Sequence, residues 1–300
     1  MRGIVFKSTG SWYVVRLENG SIIEARIKGK FRLQGIKSTN PIAVGDHVEV
    51  LEDSPDYMIK TIFPRSNYII RKSNNLSKQT HIIASNIDQA IMFVTTTSPL
   101  TSLGFIDRFL VAAASFHIPT ILVFNKYDLL DEEAKGYQKK IVEMYEDIGY
   151  PCYEVSAKTG FHIETIKLLF TGKTSLIAGH SGTGKSTLIN KLNPEFNLRT
   201  GIISESNNKG KHTTTFAEMH ELFHDAFIID TPGIKDFGVI HLSKNEIKEY
   251  MFEFTSFAPL CKFNDCLHVN EPECAVKEAV TAAKISIARY ESYLSMYFSE

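Results

Sequence analysis

The 300-residue sequence lacks three features that would each place it in a special class. It has no run of about eighteen apolar residues and no apolar N-terminal segment of signal-peptide length, so we expect a cytoplasmic protein without a membrane partner. Its four cysteines are too few for a disulfide scaffold in a chain of this length. Its formal net charge of −1 gives no overall attraction to nucleic acid.

The charge is nevertheless distributed unevenly along the chain. Residues 1–80 hold thirteen Lys and Arg against seven Asp and Glu, whereas the rest of the chain holds twenty against twenty-seven. This asymmetry favours a polyanion partner for the N-terminal part, the alternative being a solvated basic surface. The residues that we select as RNA-binding candidates are Lys28, Lys30, Arg32, Lys37, Arg65, Arg71 and Lys72.

The first 65 residues contain five short segments rich in β-branched and aromatic residues. Turn formers such as Glu18-Asn19-Gly20 separate these segments, which indicates strands. Five short strands fit a small closed barrel, for which an OB-fold is the first choice and an SH3-like barrel the alternative. We therefore predict an OB-fold RNA-binding barrel over residues 1–65, followed by a linker from Pro64 to about Ser77.

From Ala84 onward, apolar strands alternate with amphipathic helices. Strand 120–124 and helix 132–148 illustrate the pattern, which predicts a mostly parallel sheet covered on both faces. We therefore predict an α/β domain over residues 66–241. For residues 242–300 we predict a mostly helical domain. Its last helix is expected over residues 275–293, with an apolar stripe packed in the core.

A phosphate loop lies between an apolar strand and a helix. Gly179 and Gly184 bracket four residues ahead of Lys185 and Ser186, in the strand–loop–helix context that this motif requires. Backbone N–H groups and the helix N-terminus favour phosphate oxygens there. We expect Lys185 to contact the β- and γ-phosphates as a catalytic residue and Ser186 to bind Mg²⁺. The predicted loop comprises Gly179, His180, Ser181, Gly182, Thr183, Gly184, Lys185, Ser186 and Thr187.

Two further segments indicate that the base is guanine. Asp128 follows a strand at the carboxyl edge of the sheet and can accept hydrogen bonds from guanine N1–H and the 2-amino group, a donor pair that adenine lacks. Asn125 is expected to tie this segment to the phosphate loop. A second segment can offer a backbone N–H to guanine O6. The two segments are Asn125-Lys126-Tyr127-Asp128 and Ser156-Ala157-Lys158.

The γ-phosphate side of the site is predicted from polar segments later in the chain. Asp230 ends an apolar strand and is expected to hold Mg²⁺ through water, while Gly233 donates its N–H to the γ-phosphate. Thr214, in a run of three threonines, is our choice for the switch residue that binds Mg²⁺. Ile234 occupies the position of the water-orienting glutamine of Ras-like enzymes. We therefore select His212 as the candidate for that role, with a solvent-facing or RNA-facing side chain as the alternative.

Three cysteines and one histidine fall within fourteen residues of the C-terminal region. Cys261, Cys266, His268 and Cys274 offer a complete tetrahedral set for one structural Zn²⁺, the alternative being buried free thiols. A closed set of four ligands leaves no open position for catalysis. Cys152 stands apart from them and is expected to behave as a small apolar residue.

The order of these segments is unusual, because the guanine-reading segments precede the phosphate loop. With the metal-ligand pattern, this order resembles the RsgA/YjeQ/YloQ family of circularly permuted GTPases. The resemblance covers nearly the whole chain and extends to Ser85–Gln89, Ile106-Asp107-Arg108 and Lys211–Thr215. It implies an OB-fold barrel, a GTPase domain and a zinc domain. It also implies binding to the 30S ribosomal subunit and its 16S rRNA, 30S-stimulated GTP hydrolysis and a role in late 30S maturation.

Two other functions remain open on the residues alone. One is a GTP-gated RNA-binding module in which turnover matters little, and the other is a P-loop kinase, against which the guanine-reading segments argue. We expect a monomer that binds GTP or GDP, Mg²⁺ and one structural Zn²⁺. Because the chain passes from Gly233 directly into the C-terminal domain, we also expect residues 234–242 to relay the state of the γ-phosphate.

Overall fold

The computed structural model describes most of the chain. The described residues are 1–10, 12–27, 41–53, 56–72, 80–194, 217–230 and 242–299. Several predicted residues lie outside these ranges, as do the side chains of Arg71 and Lys72. The residues outside are Lys28, Lys30, Arg32, Lys37, His212, Thr214 and Gly233.

The N-terminal residues form a closed barrel of five strands. In β2, alternate residues Tyr13, Val15 and Leu17 are buried, as expected for a strand with one face on a core. The barrel order is β1-β2-β3-β5-β4, and pairing of β1 with β4 closes it. This arrangement confirms the predicted barrel. Its strands are β1 (Arg2–Ser8), β2 (Tyr13–Leu17), β3 (Ile22–Ile27), β4 (His47–Asp53) and β5 (Asp56–Ile62).

The segment predicted as a linker instead contains the first strand of an antiparallel hairpin, whose second strand follows it. Its strands are β6 (Tyr68–Lys72) and β7 (Thr80–Ser85). Ile69 and Ala84 are fully buried and belong to the largest hydrophobic core. The linker prediction was wrong because the polar composition between the strands obscured their short apolar runs.

Arg65 lies inside the structure rather than on an RNA-facing surface. Its Nε and Nη2 donate to the two carboxylate oxygens of Asp46, each at 2.6 Å. The Arg65 side chain is only 8% exposed, and the Asp46 side chain is fully buried. Asp46 also accepts a hydrogen bond from Ser85 Oγ at 2.7 Å, which joins the barrel to the hairpin. This ion pair corrects the selection of Arg65 as an RNA-binding candidate, because its guanidinium is committed internally.

The central sheet is parallel apart from one edge strand. Its order is β10-β9-β8-β11-β13-β12, and only β12 runs antiparallel to its neighbour. The sequence pattern did not indicate β12, because its polar and charged residues resemble those of a loop. Lys7 of β1 pairs with Glu218 of β12, so the barrel and the central sheet are continuous. The strands are β8 (Gln89–Val94), β9 (Thr120–Phe124), β10 (Cys152–Glu154), β11 (Thr174–Ala178), β12 (Glu218–Phe223) and β13 (Ala226–Asp230).

Helices cover both faces of the central sheet, and a separate hydrophobic core lies under each face. Local capping defines their ends. The carboxylate of Asp131 accepts from Ala134 N at 2.9 Å to begin α2, and Gly149 ends it in the left-handed conformation at φ +105°. The helices are α1 (Leu103–Ser115), α2 (Glu132–Ile148), α3 (Ile163–Phe170) and α4 (Lys185–Leu192).

The C-terminal region packs three helices and several short 3₁₀ turns around its own core. The helices are α5 (Lys244–Ile247), α6 (Ala275–Thr281) and α7 (Ile287–Phe298). The predicted single helix over 275–293 is therefore wrong, because Ala283 turns the chain with φ +54°. Ile287 is 65% exposed instead of lying in the predicted core stripe. Within the described residues, no helix combines the length and apolarity needed to cross a bilayer.

Candidate functional site

The phosphate loop connects the end of β11 to the start of α4, as its motif requires. Gly179 and Gly184 have φ values of +132° and +89°, which disfavour any other residue. A Cβ at Gly179 would lie 2.6 Å from the carbonyl oxygen of Phe93. A Cβ at Gly184 would lie 2.2 Å from Nδ2 of Asn125. The loop is therefore closely packed against neighbouring backbone and against a guanine-reading segment.

Lys185 is folded back over this loop. Its Nζ donates to the carbonyl oxygens of Gly179 at 2.8 Å and His180 at 2.7 Å. Thr183 Oγ1 also donates to the carbonyl oxygen of His180, at 2.9 Å. The ammonium thus lies at the mouth of the loop, where phosphate oxygens can replace carbonyl oxygens as acceptors. Ser181, Gly182 and Thr187 are exposed, whereas Lys185 and Ser186 are buried.

Asn125 joins its own segment to the phosphate loop and to the Ser156-Ala157-Lys158 segment. Its Nδ2 donates to the carbonyl oxygen of Thr183 at 2.9 Å, and its Oδ1 accepts from Ala157 N at 3.0 Å. The residue is 2% exposed, so neither hydrogen bond competes with bulk water. The expectation that Asn125 ties its segment to the phosphate loop agrees with this geometry, which also includes the Ser156-Ala157-Lys158 segment.

The carboxylate of Asp128 is oriented by its neighbour in the companion segment. Ser156 Oγ donates to Asp128 Oδ1 at 2.5 Å and accepts from Thr159 N at 3.1 Å. One carboxylate oxygen is thereby held in position, which presents Asp128 in a defined orientation for a donor pair on a base. The backbone N–H of Ala157, in contrast, is used by Asn125. Within this segment Lys158 is exposed.

Lys126 and Tyr127 frame the same region. Lys126 adopts the left-handed conformation at φ +68°, and its Nζ donates to the carbonyl oxygen of Ser98 at 2.6 Å. The Tyr127 ring stacks on Phe161 with centroids 5.1 Å apart. The sequence analysis did not select Ser98 or Phe161. No sequence signal indicated Ser98, and the signal for Phe161 was an aromatic residue shortly after Ser156-Ala157-Lys158.

Asp230 and Ser186 are the predicted Mg²⁺ ligands that the structure describes. Asp230 ends β13, and burial raises the pKa of its carboxyl to about 6, an effect that Lys185 opposes and Glu218 reinforces. A buried carboxylate of this kind is stabilised by a bound cation. Ser186 lies in the first turn of α4 and is 8% exposed. This hydroxyl and carboxylate fit a hard divalent cation, which prefers oxygen ligands.

The predicted metal ligands converge in the C-terminal region. Ligand atoms of Cys261, Cys266, His268 and Cys274 all lie within 4.8 Å of one another. Nδ1 of His268 is 3.6 Å from Sγ of Cys261 and 3.4 Å from Sγ of Cys274, and those two sulfurs are 3.9 Å apart. Glu271 accepts from the backbone N–H groups of Leu267 and Val269, both at 2.9 Å, and so holds the loop around His268. The arrangement fits one four-coordinate metal ion.

Comparison with protein families gives two matches along the chain. The family described as "RsgA N-terminal domain" matches residues 2–56, and the family described as "RsgA GTPase" matches residues 62–240. Among curated proteins, the chain is 52% identical to "Small ribosomal subunit biogenesis GTPase RsgA" of Christiangramia forsetii, covering all of this chain and 96% of that protein. It is 49% identical to the protein of the same description from Bacteroides fragilis, covering 99% and 96%.

Solved structures agree with these matches. YjeQ from Thermotoga maritima superposes with a TM-score of 0.81 at 37% identity, covering 99% of this chain and 97% of that chain. YloQ, described as a circularly permuted GTPase, superposes with a TM-score of 0.74 at 27% identity, covering 99% and 93%. With the barrel, the permuted order of the nucleotide-binding segments and the Cys/His cluster, these matches show that the chain belongs to the RsgA family of circularly permuted GTPases.

Proposed function

We propose that this GTPase binds the 30S ribosomal subunit, contacts its 16S rRNA and hydrolyses GTP during late maturation of the subunit. The observation that carries the nucleotide-binding part of the proposal is the junction at Asn125, whose side chain bonds both the phosphate loop and Ala157. The description of the curated relatives as biogenesis GTPases of the small ribosomal subunit supports the choice of partner. The proposed domains are 1–65, 66–241 and 242–300.

The proposed nucleotide site assigns a task to each described side chain. Asp128, oriented by Ser156, accepts from the guanine edge, and Lys126 lies along the base. Lys185 leaves the loop carbonyls for phosphate oxygens, and the loop N–H groups surround the phosphates. Ser186 and Asp230 hold Mg²⁺, which neutralises charge that develops on the phosphates when it is bound. Thr214, His212 and Gly233 remain candidates for the switch residue, the water-positioning residue and the γ-phosphate donor.

The proposed metal is one structural Zn²⁺. Thiolates and an imidazole at the corners of a tetrahedral zinc site are separated by roughly 3.5 to 3.8 Å, given zinc bond lengths of about 2.3 and 2.0 Å. The separations of 3.4 to 3.9 Å among Cys261, His268 and Cys274 support this choice. Zinc there stabilises a small domain and leaves no ligand position for a substrate.

The proposed RNA-binding residues are the candidates selected from the sequence other than Arg65. They are Lys28, Lys30, Arg32, Lys37, Arg71 and Lys72. A cytoplasmic location follows from the proposed partner, because ribosomal subunits mature in the cytoplasm of bacteria, and we propose that the protein acts as a monomer.

The decisive experiment measures phosphate release from GTP with and without purified 30S subunits. We expect 30S subunits to stimulate turnover, and we expect 50S subunits, as the matched control, to have little effect. Equal hydrolysis of ATP would contradict the guanine assignment. Unchanged GTP turnover over a range of 30S concentrations would contradict the proposed partner and leave the GTPase assignment intact.

A further inference from the structure

Helix α1 is shared between the GTPase core and the C-terminal core. Ile106, Phe109 and Leu110 are fully or almost fully buried in the core under the central sheet. Val111, on another face of the helix, is buried in the C-terminal core. Because both cores are closely packed, a displacement of this helix must also displace side chains in both of them.

The start of α1 is packed against the phosphate loop. The ring of Phe105 stacks on the imidazole of His180, with centroids 3.8 Å apart and an interplanar angle of 27°. Just before the helix, Pro99 approaches Gly182 so closely that a Cβ there would lie 3.3 Å from Pro99 Cδ. A change in the shape of the loop on nucleotide binding therefore acts directly on the first turn of α1.

The same helix is held to the C-terminal region by a buried charge cluster. Asp107 Oδ1 accepts from Arg289 Nη1 at 2.5 Å and from Tyr145 Oη at 2.7 Å. Arg289 also donates from Nε and Nη2 to the carboxylate of Glu253, at 2.6 and 3.0 Å. The side chains of Asp107 and Arg289 are 0% exposed. Leaving either charge unpaired in this buried site would be costly. The ion pair therefore favours one relative position of α1 and α7 and opposes their displacement.

Arg289 leads on to the metal-binding loop. Its neighbour in α7, Tyr290, donates from Oη to the carbonyl oxygen of His268 at 2.7 Å. One turn further, Tyr293 Oη donates to the carbonyl oxygen of Leu267 at 2.5 Å. Phe254, which follows Glu253, packs edge-on against the His268 ring at 5.6 Å. An unbroken series of contacts thus runs from the phosphate loop through α1 and α7 to a metal ligand.

We propose that α1 couples the nucleotide site to the metal-binding domain, with Phe105 and Arg289 as positioning residues at its two contacts. The inference rests on the proposed nucleotide and zinc sites and adds a route between them that is separate from the expected relay through residues 234–242. Coupling between two binding sites is reciprocal. Bound nucleotide must therefore alter metal affinity by the same factor by which bound metal alters nucleotide affinity.

The test measures zinc release to a competing chelator at equilibrium, with the full-length zinc-loaded protein. A chromogenic chelator reports the zinc affinity without nucleotide, with GDP and with a non-hydrolysable GTP analogue. We expect saturating nucleotide to raise the zinc affinity by about fivefold or more, in line with usual coupling between sites. Binding of a fluorescent guanine nucleotide is measured on the same samples, so that failure of the nucleotide site is distinguished from failure of the coupling.

Substitutions in α1 and at its contact with α7 test whether this helix carries the coupling. Phe105→Leu keeps an apolar side chain but removes the ring that stacks on His180, so we expect nucleotide to lose its effect on zinc release while still binding. Phe109→Leu is the matched control, since this substitution lies one turn away in the same helix and within the core. It should lower stability without removing the nucleotide effect. Arg289→Lys keeps the charge and should restore part of the coupling lost in Arg289→Met.

Two results would overturn the proposal. The first is nucleotide binding that leaves the zinc affinity of the unmodified protein unchanged. The second is a nucleotide effect of the same size in Phe105→Leu and in the unmodified protein. If the Arg289 variants fail to fold, the pair of phenylalanine variants still decides the question, because neither removes a buried charge.

Discussion

The nucleotide site and the metal site draw their residues from very different lengths of chain. All four metal-ligand candidates lie between Cys261 and Cys274, and one short loop brings them together. The nucleotide site combines segments that begin at Asn125 and end at Asp230, on strands that are neighbours only in the folded sheet. The metal site therefore depends on local chain geometry, whereas the nucleotide site depends on the sheet.

The two sites also differ in how their geometry is maintained. In the metal site, Glu271 holds two neighbouring backbone N–H groups, and a bound ion would complete the structure. In the nucleotide site, Asn125 reaches residues 58 and 32 positions away in sequence. Loss of one ligand should thus disable the metal site. Loss of one side chain should only weaken the nucleotide site, by an amount that depends on the role of that side chain.

The largest effect is expected from Cys266→Ser. Removal of one thiolate from a closed four-ligand site should abolish stoichiometric zinc and unfold the C-terminal region, since structural zinc contributes on the order of 10 kcal/mol in small zinc domains. Zinc content and hydrogen exchange of α7 provide the measurements. Cys152→Ser is the matched control, because Cys152 lies in β10 outside the cluster and should retain full zinc. Full zinc content in Cys266→Ser would contradict the assignment.

Lys185→Ala should reduce GTP turnover by about 100- to 1000-fold, the usual effect of losing one preorganised donor to a developing charge. Zinc content should stay unchanged, which separates the two sites. Lys191→Ala, an exposed lysine in the same helix, serves as the control and should keep normal turnover. Comparable turnover in the two variants would remove Lys185 from the catalytic candidates.

Asp230→Asn tests the oxygen-rich side of the nucleotide site through its pH dependence. Because the folded-state pKa of about 6 lies above the ordinary 3.8, ionised Asp230 destabilises the metal-free protein. This destabilisation is absent below about pH 4, grows up to about pH 6 and is complete above it. Above about pH 6, the free energy of unfolding of Asp230→Asn should therefore exceed that of the unmodified protein by on the order of 2 kcal/mol. Denaturant unfolding in chelator measures it. Asp225→Asn, in the exposed turn of the same hairpin, is the control for the same change of carboxylate to amide outside the site.

Asn125→Ala should have the smallest effect of the four. It leaves the carbonyl oxygen of Thr183 and the N–H of Ala157 without their partner, at a cost of about 2 kcal/mol. We expect GDP affinity to fall roughly tenfold to thirtyfold in a fluorescence titration. Asn67→Ala is the control, since Asn67 makes a similar pair of hydrogen bonds to the backbone of Ile87. An equal loss of affinity in both variants would mean that Asn125 acts only through general stability.

The sequence patterns predicted best where the signal is local. Strand 120–124 and helix 132–148 have the predicted bounds, because a continuous apolar run defines the strand and Asp131 and Gly149 cap the helix. Strand β12 was missed because its sequence, which includes Glu218, His220 and Glu221, lacks the continuous apolar run of its buried neighbours. The break at Ala283 was also missed, since alanine gives no signal for a left-handed turn.

By itself, the sequence determined the chemical inventory: the phosphate loop, the guanine-reading segments, their permuted order and the Cys/His ligand set. Each is a matter of residue type and spacing along the chain. Only the tertiary structure decided that Arg65 is buried against Asp46 and that Arg289 reaches Asp107 in α1. Arginine has the same composition and charge on a surface as in a core. Its role depends on which carboxylate the fold places beside it, and the spacing of residues along the chain does not predict that pairing.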